Sequence, residues 1–213
     1  MSSQFAPGEL RSILLAWTVL SIAISIGEIE GLFTGAGNVD VIAASFIATA
    51  TAFIFHEMGH KFVAIRLGYV AHFQVWLWGI ALTLLTAVVF QGRFLFGAPG
   101  AVYISPIVGA GYFGYESRRS NPDRDNMLIS AAGPGVNLAF ALFFLALLLV
   151  APNSGFLPLV ATYGFSLNVG LGSFNMLPIP PIDGYKIFKS NILVALLIAL
   201  PLWGMFLYFF FLG

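Results

Sequence analysis

Five stretches of this chain stay apolar for about the length needed to cross a lipid bilayer, and that feature decides most of what it can fold into. A spanning helix needs about 20 consecutive, mostly apolar residues. The run that starts at Ile13 passes Ile26 and reaches Phe33 with glutamates only near its end, and a second covers Val41 to Leu67. Two more run from Met127 to Val150 and from Phe156 to about Phe174, and the last from Ile192 to Leu212. Charged residues make up only 8% of the chain, against about 25% in a soluble domain, so most of the exterior must face lipid. The first run has no basic leader and no small-residue cleavage signal, and reads as a retained span rather than a signal peptide.

Nine basic and nine acidic residues cancel, which excludes a basic nucleic-acid binder and an acidic tail. With no cysteine, any metal site must draw on His, Asp and Glu. No repeat, low-complexity tract or soluble linker interrupts the chain, so residues 1–213 are expected to form a single integral-membrane domain. Val75 to Phe90 is apolar for only sixteen residues. Charge bias arbitrates, because Lys and Arg near span ends prefer the cytoplasmic side. If Leu67 to Asp125 makes no net crossing, as membrane-associated strands or a re-entrant pair, then Arg11, Lys61, Arg66, Arg93, Arg118, Arg119, Arg124, Lys186 and Lys189 share one side. Glu28, Glu30 and Asp40 then share the other. The fold expected is an all-α polytopic membrane protein with about five to six membrane helices. A small membrane-associated β or re-entrant segment lies between the second span and the span containing Gly133 and Pro134. The expected location is the cell membrane, multi-pass, with the basic side cytoplasmic.

Within the second span the chain reads Phe55-His56-Glu57-Met58-Gly59-His60. Two histidines at i and i+4 share one helix face, so their imidazoles can converge on one zinc, while Glu57 is offset around the helix toward a water on that metal. Zinc in such a site lowers the pKa of a bound water to about 7. Glu57 would accept that water's proton and pass it to the leaving amine. The bland alternative is a pair of histidines satisfied by their neighbours, but ionisable groups inside a lipid-embedded helix are costly and usually functional. Gly59 could be a helix-packing position, or leave room for another backbone near the metal.

A catalytic zinc usually takes three protein ligands. His72, beyond Arg66, reads as a surface histidine. No acid occurs between His60 and Glu116, and Glu116, Asp123 and Asp125 sit in a charged polar patch where solvation is the default. That leaves Asp183, in the segment Asn175-Met176-Leu177-Pro178-Ile179-Pro180-Pro181-Ile182-Asp183-Gly184. Its prolines cannot continue a helix, and irregular backbone at membrane depth is tolerated where it lines a protein-enclosed or watery cavity. An interfacial turn with Asp183 capping the next helix is the structural alternative. Depth separates the two: His60 lies six residues before Arg66, about 9 Å inside the basic face at 1.5 Å per residue. Asp183 reaches that face only if the Leu67–Asp125 segment makes no net crossing.

These residues together resemble the site-2 protease family of intramembrane zinc metalloproteases. His56-Glu57-Met58-Gly59-His60 matches the family's H-E-x-x-H. Asn175 to Gly184 is similar to its N-x-x-P-x-P-x-L-D-G, with Ile182 in place of Leu, and Ala132-Gly133-Pro134-Gly135-Val136-Asn137 resembles its A-G-P-x-x-N. The match covers a catalytic core of about residues 40–190. The resemblance implies zinc as cofactor, His56, His60 and Asp183 as its ligands, Glu57 as general base, and Asn175 holding substrate or stabilising the oxyanion. It implies cleavage of transmembrane segments of membrane-protein substrates, commonly after a first cut by another protease. No segment has the length of a PDZ or CBS domain, so regulation through either is not implied.

The expected function is intramembrane zinc endopeptidase, with a transmembrane protein as substrate and the lipid bilayer as its surroundings. The alternative from another class is a zinc-binding membrane protein without protease activity, such as a transporter or a degenerate partner. A helical substrate must unwind locally before its carbonyls can react, and an exposed strand edge could hold the extended product of that unwinding. Ala101 to Ser105, with β-branched and aromatic residues between Pro99 and Pro106, is expected to be such an edge. A packed hairpin without substrate contact is the alternative.

Overall fold

Backbone groups that cannot bond to lipid must bond within the chain, which makes helices of the apolar runs. The computed structural model describes residues 5–92, 99–106 and 121–212; Arg93, Glu116, Arg118 and Arg119 of the charge pattern lie outside them. Helices α1 (Glu9–Ile24) and α2 (Ile26–Thr34) form one apolar run bent by 59°. Ser21 and Ser25 donate their hydroxyls one turn back, to Trp17 O at 2.8 Å and Ser21 O at 2.7 Å, the back-bonding that bends helices. Helix α3 (Val39–Thr49) starts at Asn38, whose side chain accepts from the Asp40 N–H, and passes through a π-helical turn, Ala50–Ile54, into α4 (Phe55–Arg66). Then come β1 (Tyr69–Val75), α5 (Leu77–Phe90), β2 (Gly100–Pro106), α6 (Pro122–Val150), α7 (Phe156–Asn175), α8 (Asp183–Ser190) and α9 (Ile192–Leu207). Helix α6 sits centrally, packed on α4, α7, α8 and α9, while α7 also packs on α3.

Among the described residues three helices are long and apolar enough to cross a membrane: Val39–Arg66, Pro122–Val150 and Ile192–Leu212, with the bent α1–α2 pair as a fourth if it is one span. The chain is a mostly helical membrane protein on that ground. The five to six spans expected from the apolar runs are not all reached. Helix α7 has 20 residues, but Thr162, Ser166, Asn168 and Ser173 dilute its hydropathy. Helix α5 has 14 residues, about 21 Å at 1.5 Å per residue, short of the roughly 30 Å hydrocarbon layer.

Of the two forms expected of the segment after α4, the strands are present, and they flank a short apolar helix. Strands β1 and β2 pair antiparallel, from Tyr69 opposite Pro106 to Val75 opposite Gly100. The chain therefore leaves the sheet at Val75, runs through α5, and is back beside Val75 at Gly100. Alternation buries Ala71 and Phe73 on one face, where Phe73 joins Ile13, Ala16, Phe53 and Met58 in a core cluster. Two further contacts fix the hairpin's level. Glu9, at the start of α1, accepts from the Phe73 N–H at 2.9 Å and from the Lys61 ammonium, and the Tyr69 hydroxyl donates to Asp125 in the first turn of α6 at 3.0 Å. Leu67 and Asp125 thus lie at one end of the bundle. Ser190, closing α8, joins that end through Asp123 O at 3.3 Å. At the far end, the Asn38 N–H donates to Glu28 at 2.9 Å.

Candidate metal centre

Helix α4 presents His56 and His60 one turn apart, with rings edge to face and centroids 4.6 Å apart. Both are buried. Their Nε2 atoms lie 3.0 Å from each other. Asp183 arrives from a segment more than a hundred residues later in the chain. Pro178, Pro180 and Pro181 lack amide N–H groups, so the chain after α7 cannot extend that helix. Helix resumes at Asp183, whose Oδ2 lies 3.1 Å from His60 Nε2 and 3.8 Å from His56 Nε2. These three residues form one group that could hold a metal ion.

The donor set fits zinc. His56 Nδ1 lies 2.6 Å from Asn137 Oδ1, and His60 Nδ1 lies 2.7 Å from Ile129 O. Both partners are acceptors, so each Nδ1 carries the proton and each Nε2 lone pair faces the other and Asp183. Three acceptors so close repel one another unless a cation lies among them. A tetrahedral zinc with bonds of about 2.0–2.1 Å sets its donors about 3.4 Å apart, in the middle of the observed 3.0–3.8 Å. Lys186, whose ammonium lies 3.6 Å from Asp183 Oδ1, favours the ionised carboxylate, which completes the set with an anionic donor.

Close approach of α6 makes this arrangement possible. Gly59 on α4 faces the backbone of Ala132, where an added Cβ would stand 3.0 Å from Ala132 O. Gly133 on α6 faces the two rings, where a Cβ would lie 2.6 Å from His56 Cε1 and 2.6 Å from His60 Cε1. Two bare backbone positions thus let the Ile129 carbonyl and the Asn137 amide reach the imidazoles.

Glu57, about 100° around α4 from His56, is buried and is not one of the three grouped donors. Its carboxylate lies toward the Val102 backbone of β2 and stands within electrostatic reach of His60 and Asp183. Asn175 closes α7 half-buried, with its amide donating to Leu171 O at 3.0 Å; among the described residues it makes no hydrogen bond to the three donors. His72 lies on the hairpin face, bonded to the Gln74 side chain at 2.7 Å and stacked on Tyr103. Asp123 is exposed at the start of α6, and Asp125 is engaged by Tyr69. The sequence reading gave no role to Asn168 or Ile129 O, quoted Asn137 only within the Ala132–Asn137 motif, and placed Val102 on the expected substrate edge without linking it to Glu57. For Asn168 a signal existed, an amide inside an apolar run; the Ile129 carbonyl left none.

Two curated relatives match. The chain is 36% identical over 194 residues to "Putative zinc metalloprotease MJ0611" of Methanocaldococcus jannaschii, an alignment covering 91% of this chain and 94% of that protein. It is 38% identical over 78 residues to "Putative zinc metalloprotease YwhC" of Bacillus subtilis, covering 32% of this chain and 36% of that protein. No protein-family model and no solved structure matches. With His56, His60 and Asp183 gathered at one point and a zinc metalloprotease similar along nine-tenths of both chains, this chain belongs to the zinc metalloproteases.

Proposed function

We propose that this protein is an intramembrane zinc endopeptidase of the site-2 protease kind, hydrolysing peptide bonds in or near transmembrane segments of membrane-protein substrates. The observation that carries the reading is the gathering of His56, His60 and Asp183 beside Glu57 in a helix long and apolar enough to span. His56 and His60 through Nε2, and Asp183 through its carboxylate, would hold the metal. Zinc, when bound, supplies Lewis-acid activation of water and of the scissile carbonyl at neutral pH. Glu57 then accepts the proton of the attacking water and delivers it to the leaving amine. A zinc carrier or degenerate partner would have no use for a buried carboxylate at that position.

The hairpin supports a mode of substrate binding. In an antiparallel ladder alternate residues turn their backbone groups away from the partner strand. The Phe73 N–H points outward to Glu9, and the Trp76 N–H points inward to Pro99 O at 2.9 Å. By that parity Val102 and Ile104, opposite Phe73 and Ala71, turn their backbone groups to the outer edge of β2. Val102 meets Glu57 there. An unwound substrate pairing along this edge would bring its backbone past Glu57 and the metal donors. Asn175, which closes α7, is the further residue assigned here to holding substrate. The protein is read as multi-pass in the cell membrane, with the active site nearer the cytoplasmic face, because Lys61, Arg124 and Lys189 flank the contacts that tie α1, β1, α6 and α8 together at one end.

The test uses protein in liposomes with a single-span reporter, comparing wild type with Glu57→Gln. The variant is expected to keep one zinc per chain and to lose about 10²–10⁴-fold in cleavage. Undiminished cleavage by Glu57→Gln, or zinc flux without cleavage by the wild type, would overturn the reading.

A further inference from the structure

Asn168, in the middle of α7, is completely buried, and all three of its polar positions are used. Its Nδ2 donates to Gly164 O at 2.8 Å in its own helix and to Thr51 Oγ1 at 3.1 Å in the π-helical turn. Its Oδ1 accepts from Asn137 Nδ2 at 3.0 Å. Asn137, equally buried, spends its other N–H on Ala52 O at 2.9 Å and turns Oδ1 to His56 Nδ1 at 2.6 Å. A directed chain of hydrogen bonds therefore runs from α7 through α6 to the His56 ring.

Direction is what matters. An asparagine amide can sit either way round, and the choice is made by its partners. Turned over, Asn137 would point its NH₂ at His56 Nδ1, leaving a proton on Nε2 where a lone pair must face the metal. It would also set its own oxygen against Ala52 O and Asn168 Oδ1. Asn168 cannot yield by turning in step, because Gly164 O and Thr51 Oγ1 both take its N–H groups.

We infer that Asn168 is a positioning residue: through Asn137 it fixes the tautomer and aim of His56. The inference rests on the metal-site reading above, and it concerns a residue that touches neither metal nor substrate. Partners one step removed from a metal ligand commonly cost 10–100-fold in affinity when lost. Asn168→Leu, close in volume, unable to hydrogen-bond and one step further out than Asn137, is expected to weaken zinc binding at the lower end of that range, about tenfold. In the zinc-free protein, ¹⁵N NMR should show the His56 ring changing from a single Nδ1–H form to a mixture. In an Asn137→Ala background the same substitution should cost little more, because the link is already cut. Asn168→Asp, as a neutral acid, still offers an acceptor to Asn137 and a donor to Thr51 or Gly164, so it should retain most of the affinity even if Asn168→Leu fails to fold. Unchanged zinc affinity and an unchanged His56 tautomer in folded Asn168→Leu would overturn the inference. So would an equal loss in both backgrounds, or a loss in Asn168→Asp as large as in Asn168→Leu. A wild type that binds no zinc at the His56 site would instead bring down the metal-site reading, and the tautomer measurement would still stand by itself.

Discussion

Gly133→Ala isolates the geometry of the metal site from the chemistry performed there. The new methyl would stand 2.6 Å from both His56 Cε1 and His60 Cε1, and would press on His60 Nε2 as well. Carbon atoms prefer about 3.5–4.0 Å, so roughly 1 Å must be found. The rings cannot supply it without loss, since His56 is held by Asn137 at 2.6 Å and His60 by Ile129 O at 2.7 Å. Helix α6 cannot simply retreat, because the Ala132 backbone is seated on Gly59 and the same helix supplies both ring partners. Overpacking costs about 1–3 kcal/mol, and here it falls on the donors, so zinc affinity should drop about 5- to 150-fold at 1.4 kcal/mol per tenfold. Gly135→Ala is the matched control. It lies in the same helix with nothing within 4 Å of its Cβ, and it gains the same helix propensity of about 0.8–1.0 kcal/mol. Competition against a chromophoric chelator in detergent, with thermal unfolding alongside, measures both. Zinc binding by Gly133→Ala within about twofold of Gly135→Ala would refute the packing account, and with it the claim that a bare backbone at 133 is needed for the site.

Three further outcomes follow from the same contacts. His56→Ala and Asp183→Ala should each abolish stoichiometric zinc while the protein remains folded, as read by metal analysis and circular dichroism; full zinc occupancy in either would remove that residue from the donor set. Lys61 is 0% exposed and Glu9 3% exposed, so Glu9→Ala leaves a buried charge unpaired and should cost about 3–5 kcal/mol in chemical unfolding in micelles. Replacing both by Met should recover most of it, and a cycle with no coupling would mean that the pair is not what holds α1 to α4. Ile104→Pro removes an outward N–H from β2 without touching the ladder to β1, and should lower kcat/KM on a transmembrane reporter by about tenfold for one lost hydrogen bond. Zinc content should be unchanged, and unimpaired cleavage would speak against strand addition.

Much of the centre was legible because its components are local. His56 and His60 are four residues apart, a spacing that fixes a shared helix face before any tertiary contact exists. Asp183 announced itself through prolines that no helix interior accepts. Its meeting with the histidines followed from requiring the chain to return to one level between Leu67 and Asp125, which the pairing of Val75 with Gly100 now makes concrete. What sequence could not show is non-local and directional. His56 and Asn137 are 81 residues apart, Asn137 and Asn168 another 31, and nothing in an apolar run says which amide will face which. Among the described residues three helices, or four with the bent pair, have the length and hydropathy of spans, because apolar length alone does not register what lies inside a run: Thr162, Ser166, Asn168 and Ser173 dilute Phe156–Asn175.

Irregular backbone precedes each donor element, and one physical requirement accounts for both cases. A regular helix spends its interior amides and one lone pair of each carbonyl on itself, so it offers a neighbour little beyond a spare lone pair such as the one Ile129 O gives His60. Ahead of His56, the π-helical turn Ala50–Ile54 brings Ala52 O to Asn137 and Thr51 Oγ1 to Asn168; such turns are frequent where helices carry function. Ahead of Asp183, the proline segment satisfies itself with short-range bonds, Ile179 N–H to Leu177 O and Ile182 N–H to Ile179 O, each at 2.9 Å, and so reaches the site without an orphaned amide. In an apolar setting each break would cost several kcal/mol if its freed groups stayed unpaired. The breaks are tolerated because those groups are paired, and at His56 the pairing does a second job: the amides that satisfy the turn are the ones that aim the imidazole.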